Sequence, residues 1–298
     1  MDARHRRFVV PIGVLLAVIV AAVVWGVTRG ASGPQEPEAA PPSPAPSPSA
    51  SVEPSPSTPP DEGPAADPAV YDLAPLPVVD VYAVLPALPL DSDPQAPTLG
   101  AVTPAGVSAP VFSEPGSPPV AQLPAQQQHD GTVVPVIEQH EHWARVLLPA
   151  RSGLPSEGVV AQPPGWGRTT DVRDMTNAAS VEVSLAGEVR ILAGDEVVHS
   201  TTEFGYGAPA TPTPLGRTFI MTTFTNPEAA YTRGLPIVAL AVQSPTLDGF
   251  LGAPVAVTAF HYHDTREGPV SNGCLRMDED TMIRLAALPL GTPVRIVA

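Results

Sequence analysis

No lysine occurs in the 298 residues of this chain, and its 15 cations, all arginine, face 30 aspartates and glutamates for a formal net charge of -15. Nucleic acid is therefore not an expected partner, because binding phosphate requires clustered Lys and Arg that are missing here. Cysteine is almost absent too. Cys274 is the only one, so no intrachain disulfide can form, and no cysteine lies near the N-terminus to carry a lipid. Long uncharged apolar runs are equally scarce: there is one, Phe8 to Val27, 20 residues interrupted only by Pro11 and two glycines.

That run is long enough to span a bilayer at helical rise. Arg4, Arg6 and Arg7 precede it and an acidic chain follows, which predicts a cytoplasmic tail over 1–7 and the remainder outside the cell membrane. A cleaved secretory signal is the alternative; the length of the run and the lack of an immediate Ala-x-Ala site favour an uncleaved, single-pass transmembrane helix over 8–28. Proline, by contrast, is abundant at 41 residues. The Pro-, Ser- and Ala-rich stretch 29–68 cannot bury a core and favours extended polyproline conformations, so it predicts a semi-rigid stalk. At about 3 Å per residue such a stalk reaches on the order of 100 Å.

Residues 69–104 stay Pro-rich but gain apolar residues such as Val78, Val79 and Val81, and pattern alone assigns them no element. Over 105–175, Val111-Phe112, Val120 to Leu123, Thr132 to Ile137 and Trp143 to Pro149 are short β-like runs separated by Gly, Pro and polar turns. The Trp-x-x-Val-x-Leu-Pro run, with Gly165-Trp166-Gly167 after it, resembles an SH3-like β module. Its Trp143 and Trp166 are read as core packing ahead of ligand contacts. From 178 to 298, Val181, Val183 and Leu185 alternate with polar residues, Val189 to Ala193 and Glu196 to Ser200 follow as strands, and Ile237 to Val242 and Pro254 to Phe260 suit the buried centre of a sheet. The one helix expected there is Asp278 to Leu288, with Met282, Ile283, Leu285, Ala286 and Leu288 as its apolar side and three acids at its start. The chain is thus mainly β.

The chemistry centres on Ser271-Asn272-Gly273-Cys274-Leu275-Arg276, with His261 and His263 a short distance upstream. A thiol reacts as the thiolate and needs a base beside it. Gly273 permits a tight bend that turns its amide and that of Cys274 toward an oxyanion. A lone cysteine is more often a small inert apolar residue; the company of His and Gly reverses that weighting.

These residues resemble the YkuD-type L,D-transpeptidase family. Val255 to His261 reads as a strand ending in that family's His, Ser271, Gly273, Cys274 and Arg276 fall on its Ser/Thr-x-Gly-Cys signature, and Thr211-Pro212-Thr213-Pro214-Leu215-Gly216 is similar to its Thr-Pro-x-Gly element. The resemblance implies a β-sandwich catalytic domain over 178–298 with a short C-terminal helix. It implies that Cys274 is the nucleophile and His261 the general base and acid, acting on peptidoglycan stem peptides to form 3-3 cross-links, and that carbapenems acylate Cys274. No cofactor is implied, and a monomer is expected. An all-Arg cation set fits a GC-rich genome and, with this resemblance, an actinobacterium.

Tyr262 follows His261 where the family carries Gly, and His263 stands two residues on, so the base is open between two imidazoles, with strand periodicity favouring His261. Ser271 is expected to orient the histidine, and Asn272, His263 and Tyr206 to contact substrate. Arg276 either holds a substrate carboxylate or pins the Cys loop by a salt bridge. His261, His263 and Asp264 also resemble the opening of the metallo-β-lactamase motif, but no His follows His263, so no metal is expected. Two other functions remain open: an L,D-carboxypeptidase using the same site, and a membrane-anchored wall-binding protein without catalysis.

Overall fold

A computed structural model describes residues 63–158 and 160–298. The expected cytoplasmic tail, transmembrane helix and all but the last few residues of the stalk lie outside the described residues. Seven strands form a first sheet: β1 (Gly100–Pro104), β2 (Ser108–Phe112), β3 (Pro119–Pro124), β4 (Val134–Gln139), β5 (Trp143–Leu147), β6 (Pro164–Arg168) and β7 (Val172–Met175). Their spatial order is β3-β2-β6-β5-β4-β1-β7, antiparallel throughout. The run beginning at Val78 is no strand of this sheet. It lies across it, held by bonds from the Val79 N–H to the Gln122 carbonyl (2.8 Å) and from the Leu85 N–H to the Arg151 carbonyl (2.9 Å), with Val79, Leu85 and Leu88 buried beneath.

Trp143 and Trp166 are buried with Phe112, which stands edge-on to Trp143, and the Trp143 indole N–H donates to the Ala65 carbonyl at 2.9 Å. Both are core residues.

The second sheet contains β8 (Ala179–Ser184), β9 (Val189–Ala193), β10 (Glu196–Thr201), β11 (Gly205–Gly207), β12 (Gly216–Phe224), β13 (Ile237–Gln243), β14 (Val257–Tyr262), β15 (Gly268–Ser271), β16 (Leu275–Met277) and β17 (Pro293–Val297), in the order β10-β9-β8-β17-β12-β13-β14-β16-β11-β15. Val181 and Val183 of β8 share one core cluster with Phe260 of β14 and Leu275 of β16. At about 4.8 Å per strand, β8 and β14 stand too far apart in a flat sheet to share a core. The sheet therefore curls over its own apolar face, the sandwich-like arrangement expected.

Helix α1 (Glu279–Ala286) plugs that core with Met282 and Leu285, both fully buried. Asp278 caps it by accepting from the Thr281 N–H at 2.9 Å. Ile283, expected on the apolar side, is instead 54% exposed, because three-residue spacing from Met282 selects Leu285 and turns position 283 to water.

The two sheets share core. Phe219 of β12 and Ala241 of β13 pack in one cluster with Val102, Val134 and Leu148 of the first sheet. Across the same seam Arg217 forms a two-pronged ion pair with Asp91, both bonds 2.8 Å, and donates to the carbonyls of Ala96 and Pro97. Both side chains are almost wholly buried. Removing only the arginine strands a buried carboxylate, so Arg217→Ala should cost about 3–5 kcal/mol in denaturant unfolding, and a matched apolar pair at 91 and 217 much less.

Candidate active site

Strands β14 and β16 run parallel, with His261 in register with Arg276. This pairing brings a strand end and the loop before β16 to one place, because Cys274 immediately precedes the strand that lies beside the histidine's own. Tyr231, Phe250, Leu251, Ala256, Val257, His261, His263, Ser271, Asn272, Cys274 and Arg276 line a common cleft of about 200 Å³. Six of these, His261, His263, Ser271, Asn272, Cys274 and Arg276, are residues expected from sequence.

The Cys loop is held from behind. Gly273 has φ 111°, and an added Cβ would meet nothing nearer than the Pro212 carbonyl oxygen at 3.5 Å, so it is the backbone conformation rather than lack of room that demands glycine. Ser271 Oγ accepts from the Gly273 N–H (3.1 Å) and donates to the Cys274 carbonyl (2.6 Å). Thr213 Oγ1 donates to the Gly273 carbonyl (2.9 Å) while accepting from the Gly207 N–H (2.8 Å). The Thr-Pro-Thr-Pro element is thus a strap for the loop, closing so tightly that a Cβ on Gly207 would lie 2.3 Å from the Thr213 nitrogen. Thr213→Val would leave two buried backbone groups unpaired and should cost about 1–3 kcal/mol in denaturant unfolding, with faster alkylation of Cys274 as the loop loosens.

Three of the expected site residues make contacts other than those expected. Ser271 spends both of its bonds on its own loop and makes none to His261. The Gly273 N–H is committed to that serine, so it is not free for an oxyanion. Tyr206 sits on β11 beside Phe204 and packs against the second core; it is not among the cleft-lining residues.

The imidazoles differ in a way that spacing could not reveal. His261 Nδ1 lies 2.9 Å from the Tyr262 carbonyl, an acceptor, so Nδ1 carries the proton and Nε2 keeps its lone pair. His263 Nδ1 accepts from the Thr265 N–H at 2.9 Å, which leaves the proton of its neutral ring on Nε2. Burial holds His261 below the ordinary 6.5, with the positive Arg276 and His263 adding to the effect against the Tyr262 bond. Burial, then Arg276, also lowers His263. The Cys274 thiol, half-buried with Sγ 3.9 Å from the Val257 carbonyl, is pushed above the ordinary 9.0 by burial, against smaller downward pulls from the Ala259 backbone and Arg276. The resting pair is therefore a neutral thiol and a neutral imidazole.

Arg276 is the cation of this cleft. It donates to the Thr265 carbonyl at 3.1 Å, its Nε has no partner, and among the described residues it forms no salt bridge. The loop-pinning ion pair weighed from sequence is thus not formed there. No Asp or Glu lines the cleft, so it is cationic within an acidic chain. Among the described residues no group of three or more His, Cys, Asp and Glu is placed to hold a metal.

Sequence reasoning missed Tyr231, Phe250 and Leu251. Tyr231 stands edge-on to His261 at 5.0 Å between ring centres and 5.8 Å from His263, and burial followed by the neighbouring Cys274 raises its hydroxyl's pKa. It comes from a single 3-10 turn, Ala230–Thr232, that no motif marks. The glycines at 249 and 252 are the sequence signal that could have marked a turn around Phe250 and Leu251.

A thiol and an imidazole thus share one cleft on a curled β-sheet. Residues 178–296 match the model of the YkuD family, described as the L,D-transpeptidase catalytic domain. The match spans the C-terminal part of the chain, which is similar to that family there. Similar solved structures include an L,D-transpeptidase from Mycobacterium smegmatis (14% identity over 53% of this chain and 91% of that one, TM-score 0.32), Mycobacterium tuberculosis L,D-transpeptidase 1 (18%, 59% and 83%, 0.30) and the catalytic domain of the E. faecium L,D-transpeptidase (19%, 41% and 98%, 0.29). No curated protein matches the chain.

Proposed function

We propose that the protein is a peptidoglycan L,D-transpeptidase that forms 3-3 cross-links through a thioacyl intermediate on Cys274. The observation that carries this reading is the cleft that Cys274 and His261 line together, His261 being a histidine whose Nδ1 is tied to the Tyr262 carbonyl and whose Nε2 lone pair is left for a proton. Cys274 Sγ attacks the carbonyl carbon of the bond between the third stem residue and D-Ala as its proton passes to His261 Nε2. The oxyanion is met by a backbone amide of the Cys loop, assigned to Cys274 because the Gly273 N–H is taken. His261 returns the proton to the departing D-Ala amine, and the amine of a second stem then displaces the thiolate from the acyl carbon. Unpaired Arg276 holds a stem carboxylate, which suits the only cation in a cleft without acids. Asn272 and His263 line the substrate path.

The protein acts as a monomer, anchored in the cell membrane by 8–28, with the stalk carrying the domain into the wall. The test is incubation with disaccharide-tetrapeptide followed by mass spectrometry. Released D-Ala with a cross-linked dimer is expected; tripeptide without dimer would assign an L,D-carboxypeptidase. Neither product, with sacculus binding retained, would favour a wall-binding protein. That reading has less support because Trp143 and Trp166, the aromatics a binding face would use, are buried.

A further inference from the structure

Phe250 and Leu251 form the tip of a short hairpin that walls the Cys274 cleft. The tip closes by bonds between Phe250 and Ala253 in both directions, 3.1 and 2.9 Å, around a two-residue turn with positive φ at Leu251 (49°) and Gly252 (86°). A leucine in the left-handed region is disfavoured, and this one is 91% exposed. Nothing inside the hairpin accounts for so apolar a side chain held in so poor a conformation. What fixes the hairpin comes from the first sheet's side of the molecule.

Arg151 follows β5 in the connection to β6 and is only 3% exposed. Its backbone is locked to the stretch that crosses the first sheet, accepting from the Leu85 N–H (2.9 Å) and donating to the Ala83 carbonyl (3.1 Å). Its guanidinium then reaches across: one terminal nitrogen donates to the Asp248 carbonyl and the other to the Pro254 carbonyl, both at 2.9 Å. These two carbonyls sit on the two legs of the hairpin. The Asp248 carboxylate, two positions before Phe250, in turn accepts from the N–H (2.9 Å) and hydroxyl (2.6 Å) of Ser156. A planar fork can span two carbonyls at a fixed separation, where an ammonium cannot.

We propose that Arg151 is a positioning residue: the connection after β5 holds the Phe250–Leu251 tip at a set height over the thiol and thereby governs access to it. This rests on the cleft being the reaction site. The first sheet is then a working part of the catalytic unit, and its loss would open the cleft even with Cys274 and His261 in place.

The test uses the full chain with Arg151→Ala, Arg151→Lys, Ser156→Ala, a tip variant (Phe250→Ala with Leu251→Gly), and Arg151→Ala combined with the tip variant. Two readouts are taken: alkylation of Cys274 by iodoacetamide, which needs no turnover, and steady-state kinetics with disaccharide-tetrapeptide. Arg151→Ala should speed alkylation about tenfold and raise KM about tenfold with kcat within about twofold, the split expected when binding contacts shared by ground and transition states are lost. Lysine should not restore either value, Ser156→Ala should move both in the same direction by less, and Arg151→Ala should add nothing to the tip variant. A drop in Tm with alkylation and KM unchanged, or effects of clamp and tip that simply add, would overturn the proposal. Should Arg151→Ala not fold, Ser156→Ala decides the matter. Full activity in Cys274→Ala would overturn the function proposed above while leaving the alkylation result to judge the clamp.

Discussion

Cys274→Ala should release no measurable D-Ala from disaccharide-tetrapeptide, a loss on the order of 10⁴-fold or more, because removing a covalent nucleophile leaves only binding and oxyanion stabilisation. Its fold should survive. Cys274 is half-buried at the edge of a small cluster with Ala229, Ile237 and Ala259, and the loop that carries it is held by Ser271 and Thr213 rather than by the thiol. Near-unchanged Tm together with lost turnover would therefore separate a chemical role from a packing one. Cys274→Ser is the sharper variant, since it keeps the shape but substitutes a hydroxyl that an imidazole with a lowered pKa activates poorly. Activity in either variant above a few per cent would move the nucleophile elsewhere.

His261→Ala should lose about 10²–10⁴-fold in kcat/KM, the usual contribution of a positioned proton-transfer group, while His263→Ala stays within about tenfold of the parent. The two rings lie 6.2 Å apart between centres, so position alone does not choose between them. Hydrogen bonding does. The Tyr262 carbonyl sets the His261 tautomer with Nε2 as acceptor, and the Thr265 amide sets that of His263 with Nε2 as donor. The pH profile follows. With His261 held below 6.5, the base is already neutral at pH 7, and the acid limb of kcat/KM should lie below that value, where the imidazole takes up a proton. With the thiol held above 9.0, alkylation by iodoacetamide should keep rising as pH passes 9. An alkylation rate already at its plateau at pH 7 would mean a preformed thiolate–imidazolium pair, contrary to the burial of both groups.

The site was legible from sequence where chemistry and chain neighbourhood coincide. Cys274, Gly273 and His261 could be read because a unique thiol after glycine, and a histidine continuing an apolar strand, carry their meaning locally. Helix α1 was legible for the same reason: Asp278 and the spacing of Met282 and Leu285 are local signals. Tyr231, Arg151 and Phe250 were not. Each reaches the cleft or its wall through tertiary contact, and a tyrosine in a turn or an arginine after a strand looks like any other. The partners of Ser271 escaped notice because a serine hydroxyl serves a backbone loop or a side chain equally well until the loop's path is known. Of residues 69–104 the last five form β1, while 69–99 gave no pattern because they cover a sheet with isolated bridges and buried single residues, Val79, Leu85 and Leu88, rather than forming a periodic element.

Intact mass of the full chain after exposure to a carbapenem tests the central claim most directly. The account predicts a single added carbapenem mass on the wild-type chain, mapped to Cys274, formed slowly or not at all in His261→Ala and absent in Cys274→Ala. An unmodified wild-type chain, or an adduct that persists in Cys274→Ala, would contradict it.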